Sequence, residues 1–350
     1  MTKFTDLQAS VQIKYIDSLA LEYNLSTVAI EKDWWISAVL RALFALPYAE
    51  YLSFKGGTSL SKCYHLIERF SEDVDIAVFR EFLGFRGTLS KSQINDKLRR
   101  AACTFVREKL QYDVSKELEN QGIRINLFSV EVNITPVSTT DPEIVEIHYK
   151  SLFPENNYLK PVVKLEVSGR SMNEPLQKIS LQSFIDEAYS AHIFTEKPFV
   201  INAVTPERTF MEKICLLHEE FARPQELLRT ERMSRHLYDL VRMYDAGIAE
   251  KAFLNKQLYK SIVEHRRVFI GLKGFDYDTL SPEKINIIPP DNVISQWQTD
   301  YETMQETMIY GESLPFSKLI DKIKQLNQKI NKIDFEGLFV SDIFPLAQDC

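Results

Sequence analysis

Phe54-Lys55-Gly56-Gly57-Thr58-Ser59-Leu60-Ser61-Lys62, followed after a short gap by Arg69-Phe70-Ser71-Glu72-Asp73-Val74-Asp75-Ile76-Ala77-Val78, decides how this chain is read. The order predicts a short strand over 51–54, a glycine turn, a helix over 60–67 and a second strand over 73–78. On that second strand a period of two puts Asp73 and Asp75 on one face and Val74, Ile76 and Val78 on the other. Neighbouring carboxylates repel unless a cation neutralises them, and hard oxygen ligands beside a triphosphate suit Mg²⁺. Gly56 and Gly57 let a backbone approach a phosphate closely, while Thr58 and Ser59 either cap the next helix or offer hydroxyls to phosphate oxygens. An Asp-x-Asp strand and a capping turn are each common without such a role. Their succession in one strand, turn, helix, strand unit is what points to phosphoryl chemistry.

Working outward, in-line phosphoryl transfer on two metals needs a further acid. Glu166 in Val163-Lys164-Leu165-Glu166-Val167 is the candidate, exposed with Lys164 on one strand face; a surface Lys and Glu pair is the alternative. On a strand beside Asp75 it would take the proton of an attacking hydroxyl or hold the second metal. Thr205 and Pro206 open a helix whose Lys213 either neutralises triphosphate charge or forms a surface pair with Glu212. Arg232, Arg235, His236 and Asp239 share one helical face, and an Arg235 to Asp239 salt bridge in solvent is the plain reading.

Helical periods cover residues 4–24, 28–46 (capped by Ser26 or Thr27), 89–120 and, from 206 onward, 206–222, 226–246, 251–264, 293–309 and 316–333. Strand-like runs lie at 123–134, 144–149 and 161–167. Trp34 and Trp35 read as core anchors. The fold class is α+β: an N-terminal lobe over 1–205 with a mixed sheet carrying the acids, and a helical lobe over 206–350, with a cleft expected between them. Lys318, Lys322, Lys329 and Lys332 flank an apolar stripe of Leu319, Ile323, Leu326, Ile330 and Ile333; they read as a solvated face, with RNA phosphates as the alternative partner.

Across 350 residues, 42 Lys and Arg against 49 Asp and Glu give a net charge of −7, which argues against general nucleic-acid coating. Cys63, Cys103, Cys215 and Cys350 lack the short spacings of zinc or redox motifs, so reduced thiols in a cytoplasm are expected. Charged residues interrupt the first 25 positions, unlike a signal peptide, and Arg41 breaks the longest apolar stretch, so no membrane span is expected.

The two quoted stretches resemble the signature of the AbiEii/AbiGii toxin family of nucleotidyltransferases, within the polymerase-β-like superfamily. Ile30-Glu31-Lys32-Asp33-Trp34-Trp35, Lys164-Leu165-Glu166, Glu212-Lys213 and Ser234-Arg235-His236-Leu237-Tyr238-Asp239 extend the resemblance from about residue 28 to residue 245. It implies a polymerase-β-like core and Mg²⁺-dependent transfer of a nucleotide from NTP onto an acceptor hydroxyl, in characterised relatives RNA such as the tRNA 3′ end. Family members often act in abortive infection or as toxins beside a cognate antitoxin. By residue match Asp73, Asp75 and Glu166 would be the metal-binding acids, and Lys213 would serve the triphosphate. Lys55, Gly56, Gly57, Thr58, Ser59, Lys164, Arg235 and Asp239 would line the nucleotide site. Many relatives have Asp where this chain has His236. Transfer to a protein or small molecule, or a non-catalytic NTP-binding subunit, are the rival readings.

Overall fold

The computed structural model describes residues 2–71, 73–132, 143–154 and 160–334. The chain forms two compact units: Met1–Cys63 with Phe70–Val204, and Tyr64–Arg69 with Thr205–Cys350. The segment Tyr64–Arg69 thus groups with the second unit, although its neighbours in sequence belong to the first.

In the first unit, α1 (Ala9–Tyr23) and α2 (Thr27–Ala45) precede β1 (Leu52–Lys55), α3 (Gly56–Lys62) and β2 (Asp73–Val78). Then come α4 (Arg99–Phe105), α5 (Gln111–Asn120), β3 (Phe128–Val132), β4 (Glu143–Tyr149), β5 (Val162–Ser168), β6 (Leu176–Leu181), α6 (Phe184–Ala188) and β7 (Phe199–Val204). The seven strands form one mixed sheet in the order β3-β4-β5-β2-β1-β7-β6. β2 runs parallel to β5 and antiparallel to β1. This sheet and the surrounding helices give an α+β fold.

Ser26 caps α2 by accepting from Ala29 N at 3.2 Å, as its sequence position suggests. α2 is buried on nearly all sides and packs against β5 and β7, so its run of apolar residues serves as core. Trp34 and Trp35 meet edge-on at 5.2 Å, and Trp35 stacks on Tyr149 at 5.0 Å. Even the polar residues of this helix are committed. Asp33 pairs with Lys62 and accepts from Phe184 N at 2.9 Å. Glu31 accepts from Ser151 Oγ at 2.5 Å and Leu152 N at 2.7 Å.

In the first unit three sequence expectations are corrected. The helix expected over 60–67 starts a turn earlier, at Gly56, and stops at Lys62, because Lys55 is extended, Gly56 takes φ +80° and His65 turns to φ +50°. The strand run at 123–134 shrinks to Phe128–Val132 among the described residues; Asn133 and Ile134 lie outside them. β6, α6 and β7 have no counterpart in the sequence reading. β6 is a sheet edge whose residues are largely exposed, so its pattern lacks the apolar alternation that marks a half-buried strand.

The second unit is built from α7 (Pro206–Phe221), α8 (Ser234–Asp245), α9 (Ile248–Leu254), α10 (Lys256–His265), α11 (Ile294–Thr307) and α12 (Phe316–Ile330). The single helix expected over 251–264 is two, divided at Asn255, whose side chain caps α10 by accepting from Leu258 N at 3.0 Å. Leu319, Ile323, Leu326 and Ile330 are buried as one face of α12. Lys322 pairs with Asp245 at 2.6 Å, and Lys329 lies over the Tyr244 ring at 5.3 Å. Cys63, Cys103 and Cys215 are free and buried, while Cys350 lies outside the described residues. Among the described residues no helix is long and apolar enough to cross a membrane.

Candidate active site

The register of the central strands lines up the acids. Across β2 and β5, Asp75 stands opposite Glu166 and Asp73 opposite Lys164. On the other side of β2, Asp75 faces Lys55, whose Nζ is 3.9 Å from Asp75 Oδ1. On β4, Glu146 faces Lys164. Two cross-strand rows result, Glu146, Lys164, Asp73 and then Glu166, Asp75, Lys55. Val74 and Ile76 on β2, with Val163, Leu165 and Val167 on β5, are fully buried, so the period of two holds the charged residues on the sheet's other face. Glu146 was not anticipated from sequence; its signal was the alternation of β4, which becomes informative only once β4 is known to pair with β5.

The glycine turn is shaped around Asp75. Gly56 has φ +80°, and a Cβ there would stand 2.0 Å from Asp75 Oδ2 and 2.8 Å from its Cγ. Only glycine permits both this backbone angle and this approach. The hydroxyls expected to offer themselves to phosphate are instead turned inward. Thr58 Oγ1 donates to the Asp73 carbonyl at 2.5 Å, tying α3 to the start of β2. Ser59 Oγ donates to the Gly56 carbonyl at 3.0 Å and is fully buried. Their role in this geometry is to fix the turn against the acidic strand.

Among the described residues, no three His, Cys, Asp or Glu side chains are gathered closely enough, as they stand, to hold a metal ion. By chemistry the set fits a hard cation: Asp73, Asp75 and Glu166 offer carboxylate oxygens on adjacent strands, and Gly56 keeps the space beside Asp75 free of a side chain.

Within the second unit, Lys213 on α7 is not half of a surface pair with Glu212. Its Nζ is 2.9 Å from Asp239 Oδ2 and 3.2 Å from His236 Nδ1, and the residue is 8% exposed. Glu212 instead accepts from Arg208 Nε at 2.9 Å. Asp239 is fully buried, which overturns the solvent salt bridge expected of it. Arg69 grips it with Nε on Oδ1 at 2.7 Å and Nη2 on Oδ2 at 2.8 Å, a two-point guanidinium to carboxylate contact. Burial works against the Asp239 charge, but Arg69 and then Lys213 outweigh it and hold the carboxyl well below the usual carboxylate range. Burial pushes the Lys213 ammonium down, as does Arg69, against the opposing pull of Asp239. His236 is likewise pushed well down, first by burial and then by Lys213 and Arg235. Arg69 was missed as a site residue although it opens the second quoted stretch; nothing local marks it, since its partner lies on α8.

A strand, glycine turn and helix deliver two carboxylates to a mixed sheet, with a third acid in register beside them, the arrangement expected from the sequence of a nucleotidyltransferase. A family model described as "Nucleotidyl transferase AbiEii toxin, Type IV TA system" matches residues 38–326, and the chain belongs to this family of nucleotidyltransferase toxins. Membership in a type IV toxin–antitoxin system implies an NTP substrate and a cognate antitoxin. Among solved structures, MenT4, a nucleotidyltransferase toxin from Mycobacterium tuberculosis, is similar over 94% of this chain and 91% of its own, with a TM-score of 0.52 and 16% identity. At that identity the likeness supports the fold. JHP933 from Helicobacter pylori aligns over 88% of this chain and 94% of its own, with a TM-score of 0.45 and 16% identity. A search of curated proteins finds no match.

Proposed function

We propose that this nucleotidyltransferase moves a nucleotide from an NTP onto an RNA hydroxyl, the tRNA 3′ end being the first candidate, in a Mg²⁺-dependent reaction in the cytoplasm. The observation that carries the reading is the register of β2 and β5, with Asp75 opposite Glu166 and Gly56 packed against the Asp75 carboxylate. Asp73, Asp75 and Glu166 would hold Mg²⁺, which when bound offsets their mutual repulsion and draws charge from the triphosphate. Lys55 on the neighbouring strand β1 and Lys164 on β5 flank these acids and would bind phosphate oxygens of the NTP. Gly56, Gly57, Thr58 and Ser59 fix the turn that shapes this side of the site. As the alternative to holding a metal, Glu166, in register beside Asp75, would accept the proton of the attacking hydroxyl. That oxygen then bonds to the α-phosphorus as the bond to the pyrophosphate leaving group breaks. Lys213 would neutralise charge on the departing pyrophosphate, with Asp239 and Arg69 fixing its position and Arg235 adding to the field.

The test mixes purified protein, Mg²⁺, total RNA and each α-³²P-labelled NTP in turn, with Asp75→Asn and Asp73→Asn as controls. Label in RNA that disappears in both variants supports the reading and identifies the nucleotide. A full-rate Asp75→Asn enzyme would end this mechanism. Label in a protein or small-molecule fraction instead of RNA would assign a different acceptor, and tight partner binding without NTP binding would assign a non-catalytic role.

A further inference from the structure

His236 lies on α8 against the Lys213 ammonium, and the contacts of that ammonium fix what the imidazole must be. Lys213 Nζ has two close polar neighbours, Asp239 Oδ2 at 2.9 Å and His236 Nδ1 at 3.2 Å. A carboxylate only accepts, so the amine directs an N–H to Asp239, and in the field of that anion it carries its proton. An ammonium has donors and no acceptor, so His236 Nδ1 must receive, which requires a neutral ring with its proton on Nε2. We propose that His236 is a positioning residue, holding the Lys213 ammonium through a neutral ring nitrogen and so orienting it without cancelling its charge.

The charges around the ring give this arrangement its consequence. The groups that act on His236 are Lys213 from α7, Arg235 and Asp239 from α8 and Arg69 from the Tyr64–Arg69 segment. Three are cations and one is an anion, so the cluster keeps surplus positive charge. An aspartate at this position would also accept from Lys213, but it would remove part of that surplus. A neutral acceptor therefore suits a lysine whose partner is a polyanion, and this step rests on the reading of Lys213 as a triphosphate ligand given above. Protonating the ring would set a second cation 3.2 Å from Nζ and abolish the acceptor. The position of Lys213 therefore depends on pH through His236, with Arg69, Arg235 and Asp239 present as fixed charges across the working range.

Two measurements test it. The first reads the ring directly: long-range ¹H–¹⁵N NMR of the imidazoles at pH 7.5, with His236→Asn used to assign the signal. A neutral Nε2–H tautomer is expected; an Nδ1–H tautomer or an imidazolium at this pH overturns the proposal. The second is kinetic, with the NTP the enzyme uses. His236→Ala should raise the KM for NTP about tenfold or more, with a smaller change in kcat, because it removes an acceptor from a charged donor. His236→Asn, whose amide oxygen can accept from Nζ, should recover to within about threefold of wild type. The acid limb of kcat/KM in the wild type should shift or vanish in His236→Asn. Equal losses in the Ala and Asn variants, or an acid limb common to all three proteins, would overturn the inference while Lys213→Ala still raises KM. A Lys213→Ala enzyme with wild-type KM would instead remove the reading of Lys213 itself, and the functional half of the inference with it.

Discussion

Replacing Gly56 by alanine separates two demands that the structure makes on one residue. At φ +80° an L side chain costs about 1–2 kcal/mol through its backbone alone. The new Cβ would also stand 2.0 Å from Asp75 Oδ2, forcing that carboxylate from its rotamer at roughly 0.5–1.5 kcal/mol. Its approach to Lys55 would be lost too, but both side chains are 26% exposed and the pair lies at 3.9 Å, so screening keeps that share below about 1 kcal/mol. Gly56→Ala should therefore destabilise the first unit by about 2–4 kcal/mol. In an Asp75→Ala background the collision with the carboxylate is gone and only a Cβ contact at 3.2 Å remains, so the same substitution should cost little beyond the backbone share, about 1–2 kcal/mol. Amide hydrogen exchange of peptides covering α3 and β2, followed by mass spectrometry, reads these differences locally. Equal costs in the two backgrounds would refute the argument that the Asp75 carboxylate, and not the backbone angle alone, demands glycine.

Asp239→Asn should destabilise the second unit by about 3–5 kcal/mol, since Arg69 and Lys213 would remain buried without their anion, whereas Lys318→Glu on the exposed face of α12 should stay within about 0.5 kcal/mol; urea titration of each variant checks both. The Asp239 carboxyl titrates below its unfolded value, so its stabilising share is intact above about pH 4 and is lost as pH falls further. Melting temperatures taken from pH 5 to pH 2 should fall less steeply in Asp239→Asn than in the wild type. Trp35→Ala should cost about 3–5 kcal/mol because it empties a buried site stacked on Tyr149, with loss of near-ultraviolet dichroism as the sign that packing has gone.

Where a residue's role depended on its immediate neighbours, the sequence was informative. β2 begins at Asp73 and ends at Val78 as its alternation requires, because one face carries charge and the other enters the core. Ser26 was recognisable as a cap because capping is a local hydrogen bond. The start of α3 was not, since whether Gly56 opens a helix or a loop depends on the Asp75 carboxylate that packs against it. β6 was invisible for a related reason: its residues pair with β7 alone, and their side chains stay largely outside the core. The second-unit cluster shows the limit most clearly. A helical wheel groups Arg235, His236 and Asp239, but it cannot foresee that Arg69, 170 residues away in sequence, supplies the two-point partner of Asp239.

The placement of Tyr64–Arg69 has a practical meaning for anyone who would divide this gene. Expressing residues from 205 onward as a separate polypeptide would omit Arg69 and its bridge to Ile309, together with Glu68, which pairs with Arg242 at 2.9 Å. The helical part is therefore not a portable cassette: a truncation made at the obvious boundary discards a piece of its interior. A split protein would have to be cut inside an exposed loop of one unit, with both fragments supplied together, and recombination that exchanged the C-terminal half between relatives would have to preserve the match between Arg69 and Asp239.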